Sequence, residues 1–154
     1  MRLMDSDWEK LVKRYVWNDE RTPYFTRVAN LSRRQAHYEL FGYALFAGIL
    51  SGVLSVAALS SALPHGDSVS LYAFTVCCAA ILLGATRHAW AALWCAGAPA
   101  AALGYFTLYG FHPVLGDPDK VLVVAAMLFW LLYALRVVAV ARAWPGLAGP
   151  AEPD

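Results

Sequence analysis

The chain has 154 residues, of which 60% are hydrophobic and 15% charged; soluble domains run at roughly 45–50% and about 25%. That imbalance, with 14% aromatic residues, excludes a disordered tail and an ordinary soluble enzyme domain. Twelve Lys and Arg against eleven Asp and Glu leave a net charge of +1, without the basic excess that a nucleic-acid partner calls for.

Residues 1–39 read as a cytoplasmic or interfacial arm. They hold eight of the twelve basic groups and six acids, including Glu39. Ser6-Asp7-Trp8-Glu9 is a capping box, Ser at the N-cap and Glu at N3. Trp8, Leu11, Val12, Tyr15 and Val16 then recur on one helical face, so a short amphipathic helix is expected, lying on a membrane surface or a partner. Asn18 to Pro23 breaks it. Trp8, Tyr15, Trp17 and Tyr24 are residue types that anchor interfaces, and they are the arm's candidate partner-binding residues. A second capping box, Ser32-Arg33-Arg34-Gln35, starts a helix expected to run straight into the first apolar run.

Four apolar runs follow, at about 40–63, 69–86, 89–111 and 121–140. Each has the length needed to cross roughly 30 Å of hydrocarbon as a helix, and lipid leaves the backbone no open-strand alternative. The links are short: Pro64 to Ser68, Arg87-His88, and His112 to Pro118. Short links make successive helices antiparallel neighbours, so residues 40–144 are expected to form an up-down bundle of four transmembrane helices, all-α. Asp67 or Ser68 is expected to cap the second helix, and Asp117 the fourth with Pro118 at its first position. Residues 145–154 read as a loose tail. Eleven Lys and Arg fall on the side of the two termini and one, Lys120, on the other. The positive-inside rule then puts both termini in the cytoplasm. The Ala-, Leu- and Val-heavy runs lean toward a bacterial inner membrane.

Chemical signals are weaker than packing signals. No Gly-rich phosphate loop, nucleophile elbow or His-Glu-x-x-His motif occurs, and no catalytic residue, cofactor or metal is assigned. His37 and His88, near one surface, are weak candidates for axial ligands of a haem or pigment. His65, Asp67, His112 and Asp117 in the opposite loops are weak candidates for a metal site. Cys77, Cys78 and Cys95 lie in apolar runs without a Cys-x-x-Cys pair and read as small packing residues. Arg136 lies about 15 residues into the fourth run, within snorkelling reach of the basic side, and is read as an anchor or a partner contact. Pro99 is expected to kink the third helix.

Two stripes of small residues stand out: Ala44, Gly48 and Gly52 in the first run, and Ala92, Ala96, Ala100 and Gly104 in the third. Such spacing lets helix backbones approach closely in lipid. The two stripes either pack the first helix on the third or face another protein. Gly48, Gly52, Ala96, Ala100 and Gly104 therefore join the candidate partner-binding residues. The function expected is a non-catalytic accessory or structural subunit of a larger membrane complex, in contact with lipid and other subunits. Respiratory and photosynthetic complexes are frequent hosts of that kind. The alternatives are a small transporter or channel, or a cofactor- or lipid-binding enzyme using His37/His88 or the His65/His112 set.

Overall fold

A computed structural model describes residues 27–60 and 65–147. Four long helices dominate: α1 Arg33–Ala58, α2 Gly66–Thr86, α3 Ala89–Tyr109 and α4 Asp117–Ala143, with single 3-10 turns at Val28–Asn30 and Trp144–Gly146. No strand occurs among the described residues. All four helices are long and apolar enough to cross a membrane. The amphipathic arm helix, with Trp8, Tyr15, Trp17 and Tyr24, lies outside the described residues, as does the tail from residue 148.

The helix starts show how local chemistry sets the boundaries. At α1 the capping box closes in both directions: the Ser32 hydroxyl accepts from the Gln35 N–H at 3.2 Å, and Gln35 Oε1 accepts from the Ser32 N–H at 3.0 Å. This places Glu39 inside the helix rather than in an arm. At α4 the expected cap shifts by one residue. Gly116 occupies the N-cap, and the Asp119 carboxylate, at N3, reaches back to accept its N–H at 3.1 Å. Asp117 is left to pair with Lys120 at 2.9 Å. At α2 neither Asp67 nor Ser68 is the cap. His65 takes that place in the left-handed region at φ 56°, and its carbonyl accepts from the Ser68 and Val69 N–H groups. Gly66 follows because the returning chain touches the end of α1: a Cβ there would collide with the Ala58 carbonyl oxygen.

The α1 stripe is used within the chain, against α2 and not α3. A Cβ on Gly48 would stand 3.5 Å from that of Ala80, one on Gly52 3.7 Å from Cys77 Sγ, and one on Gly84 3.5 Å from that of Ala44. Farther along, Ser55 Oγ donates to the Ser70 carbonyl at 3.0 Å and Ser70 Oγ to the Ser55 carbonyl at 2.7 Å. These contacts fix an antiparallel register over most of both helices. The two-way serine exchange satisfies both hydroxyls where no water is at hand. The short link makes α2 the neighbour of α1, and Cys77, Ala80 and Gly84 supply the small surface it needs.

Between α2 and α3, Trp94 Nε1 donates to Thr75 Oγ1 at 3.3 Å, and Gly97 leaves room for the Tyr72 hydroxyl, 3.1 Å from where its Cβ would be. The α3 helix continues through the buried Pro99. The four helices converge at the end that carries Arg33, Arg87 and Ala143, called the basic end below. There Leu40, Tyr43, Leu83, Ala92, Cys95 and Val137 meet in one core. The buried residues of α4 all lie between Ala134 and Ala141. Toward the opposite end that helix has no fully buried residue, only half-buried ones such as Val123, Val124, Met127 and Trp130.

Candidate functional site

The contact between α1 and α4 is a ladder of polar and aromatic pairs in the converging half. Its first rung is Glu39 with Arg136. Arg136 Nε donates to one carboxylate oxygen at 2.7 Å and Nη2 to the other at 3.2 Å. Glu39 is 0% exposed and the Arg136 side chain 23%. A fork-shaped guanidinium matched to both oxygens is the geometry in which a buried charge pair is best compensated. Arg136 is thus satisfied inside the bundle, which corrects its reading as an anchor or partner contact. The reason is that Glu39, counted with the arm's charges, enters the same layer from α1. The next rungs are Tyr43 with Tyr133, ring centroids 5.9 Å apart, and Phe46 edge-on to Trp130 at 5.7 Å.

A second cluster closes the basic end. Arg87 ends α2 in the left-handed region at φ 54°, where glycine is the usual occupant. That turn brings its guanidinium to His37, with Nε and Nη2 donating to Nδ1 at 3.2 and 2.8 Å. A guanidinium only donates, so His37 Nδ1 is the acceptor in this contact. Arg33 and Arg87 also stand over the Trp144 ring at 5.2 and 5.6 Å. Three segments are joined there: the start of α1, the link between α2 and α3, and the end of α4.

The two histidine pairs part company. His37 is engaged by Arg87 and Trp144, while His88 is exposed and accepts the Trp90 N–H at 3.4 Å. His88 instead borders an apolar groove of about 580 Å³ between α2 and α3, lined by Phe74, Cys78, Leu82 and Trp94 among others. At the opposite end His65 packs on Tyr109 at 4.9 Å, and His112 Nδ1 accepts the Val114 N–H. Asp67 sits in the first turn of α2. Among the described residues no three His, Cys, Asp or Glu side chains are grouped so as to hold a metal ion.

The α3 stripe divides into two halves. Ala92 and Ala96 are buried in the core, while Ala100 is exposed and nothing lies within 4 Å of where a Gly104 Cβ would stand. Among the described residues, one half of the seam is filled and the other is open at Ala100 and only half-buried at Gly104. No protein-family model, curated protein or solved structure matches this chain.

Proposed function

We propose that the chain is a multi-pass membrane protein that serves as a non-catalytic accessory subunit of a larger membrane complex. Its surface supports membrane insertion: Leu45, Ile49, Val53, Leu71, Leu108 and Phe129 all face outward, far more exposed apolar area than a water-soluble monomer carries. The observation that carries the accessory role is the open half of the α3 stripe. Ala100 and Gly104 continue a buried small-residue seam onto a face where Ala100 is exposed, Gly104 half-buried, and no described residue lies within 4 Å of a Gly104 Cβ. A helix of another subunit fits such a face by close backbone approach. Residues 1–30, with Trp8, Tyr15, Trp17 and Tyr24, supply a second docking element on the cytoplasmic side. The concentration of Lys and Arg beside the termini supports a cytoplasmic location for both ends, and a bacterial inner membrane is the setting proposed.

Purification in mild detergent tests this reading, with native electrophoresis and an absorption spectrum taken together. The parent chain is expected to migrate within a larger assembly. The pair Ala100→Leu and Gly104→Leu is expected to release it as a folded chain of unchanged thermal stability, since neither position is filled from within. Deletion of residues 1–30 is expected to weaken the same association. Migration of the parent as a lone chain would overturn the accessory role.

A further inference from the structure

Two buried side-chain polar atoms among the described residues lack a hydrogen-bond partner: the Tyr43 hydroxyl and the Trp130 indole N–H. They belong to adjacent rungs of the α1–α4 ladder, Tyr43 against Tyr133 and Trp130 against Phe46, and the indole N–H approaches the phenol without closing a hydrogen bond of good geometry. Tyr43 is 3% exposed. An indole nitrogen only donates, and a phenol that accepts from it still has its own proton to place. The pair therefore has donors in excess and calls for one external acceptor oxygen, because buried polar groups are rarely left unmade.

Depth selects the class of acceptor, granted the membrane-spanning reading above. Trp130 stands thirteen residues from either end of α4, about 20 Å along the axis from each. That is the middle of the hydrocarbon layer, below the ester carbonyls of phospholipids and where water is scarce. The neighbouring charges, Glu39 and Arg136, are already matched to each other, so the pocket of donors is neutral. Both atoms are covered, and the way in is lateral, by displacement of surface side chains: outward of Ala134 no residue of α4 is fully buried, and Phe46, edge-on to Trp130, is 52% exposed.

We propose that Tyr43 and Trp130 form a hydrogen-bonding site for the carbonyl oxygen of a neutral, bilayer-dissolved ligand of the quinone type. An apolar surround with a few convergent donors is the usual make-up of a small-molecule site. The site holds its ligand by one shared oxygen, with the ring lying on the outward face of α1 and α4 beside Phe46 and Phe129.

The purified full chain in detergent is titrated with decylubiquinone carrying ¹³C at its carbonyls, followed by infrared difference spectroscopy, with decylbenzene as the apolar control. The expected result is saturable binding with the carbonyl band moved to lower wavenumber. Tyr43→Phe and Trp130→Phe keep a ring in place, and each is expected to weaken binding about 3- to 10-fold, the effect of one hydrogen bond. Each is also expected to return part of the band toward the free position. Binding no tighter than that of decylbenzene, an unshifted carbonyl, or two variants that bind like the parent would each overturn the proposal. The titration uses the isolated chain, so its outcome is separate from that of the assembly test above.

Discussion

Helix α1 meets its two neighbours by opposite means. Toward α2 it presents Ala44, Gly48, Gly52 and Ser55, and the helices touch through small side chains and a serine exchange. Toward α4 it presents Glu39, Tyr43 and Phe46, which pair by charge and by ring. The first seam works by shape: dispersion between close backbones, spread over most of the helix length. The second works by chemistry, through one ion pair at the basic end and two ring contacts beyond it. Consequently the α1–α2 hairpin is closed along most of its length, while α1 and α4 meet at one end only. The seams should fail differently, by volume on one side and by charge on the other.

The ion pair gives the largest expected effect. Glu39→Gln leaves the Arg136 guanidinium, 23% exposed, within the bundle without its counter-charge, and up to about 3 kcal/mol of stability should be lost. Detergent unfolding monitored by circular dichroism measures it. The double change Glu39→Leu with Arg136→Met removes both charges and is expected to recover most of that loss. If the double variant is as unstable as the single one, the pair is not a closed unit.

Next comes the shape seam. Gly48→Leu drives a side chain into Ala80, and about 1–3 kcal/mol is the usual cost of such overpacking. A conservative change of charge nearby would not reproduce it, and the paired change Gly48→Leu with Gly104→Leu should be no worse than Gly48→Leu alone. That comparison separates the filled seam from the open one.

Smaller again is the serine exchange. Ser55→Ala removes one donor and leaves the Ser70 carbonyl to its own helix, at about 0.6 kcal/mol for a hydrogen bond of this kind in a membrane helix pair. An effect of about the same size is expected from Arg87→Lys. It keeps the charge but loses the two-pronged contact with His37 and the guanidinium's place over the Trp144 ring, at about 0.5–1 kcal/mol. A loss as large as that of Glu39→Gln would move the closing of the basic end from the ion pair to the arginine latch.

Much of this was legible in the residues and some was not. The capping box at Ser32 was readable because both partners lie three residues apart, and a contact so local needs no knowledge of the fold. The α1 stripe was recognisable as a seam, but its partner was not. On α2 the facing residues are Cys77, Ala80 and Gly84, at spacings of three and four, and a search for strict four-residue repeats passes over them. The cap of α4 was misplaced by one because Asp117 and Asp119 compete for one role, and the turn geometry decides between them. Glu39 and Arg136 are 97 positions apart and were read separately, one as part of a charged arm and one as an anchor. Counting depth would have joined them: Glu39 is six residues into α1 and Arg136 seven from the end of α4, which is the same layer of an up-down bundle.

By itself the sequence determined that this chain makes four long apolar helices, since run length, charge placement and turn residues are local properties that act on each segment separately. Packing alone settles which faces of those helices are filled, that Arg136 has its counter-ion within the chain, and that the fully buried residues of α4 all lie at one end. Those outcomes depend on which surfaces arrive opposite one another, and the energy of a buried charge or a small-residue seam is set by the partner as much as by the residue.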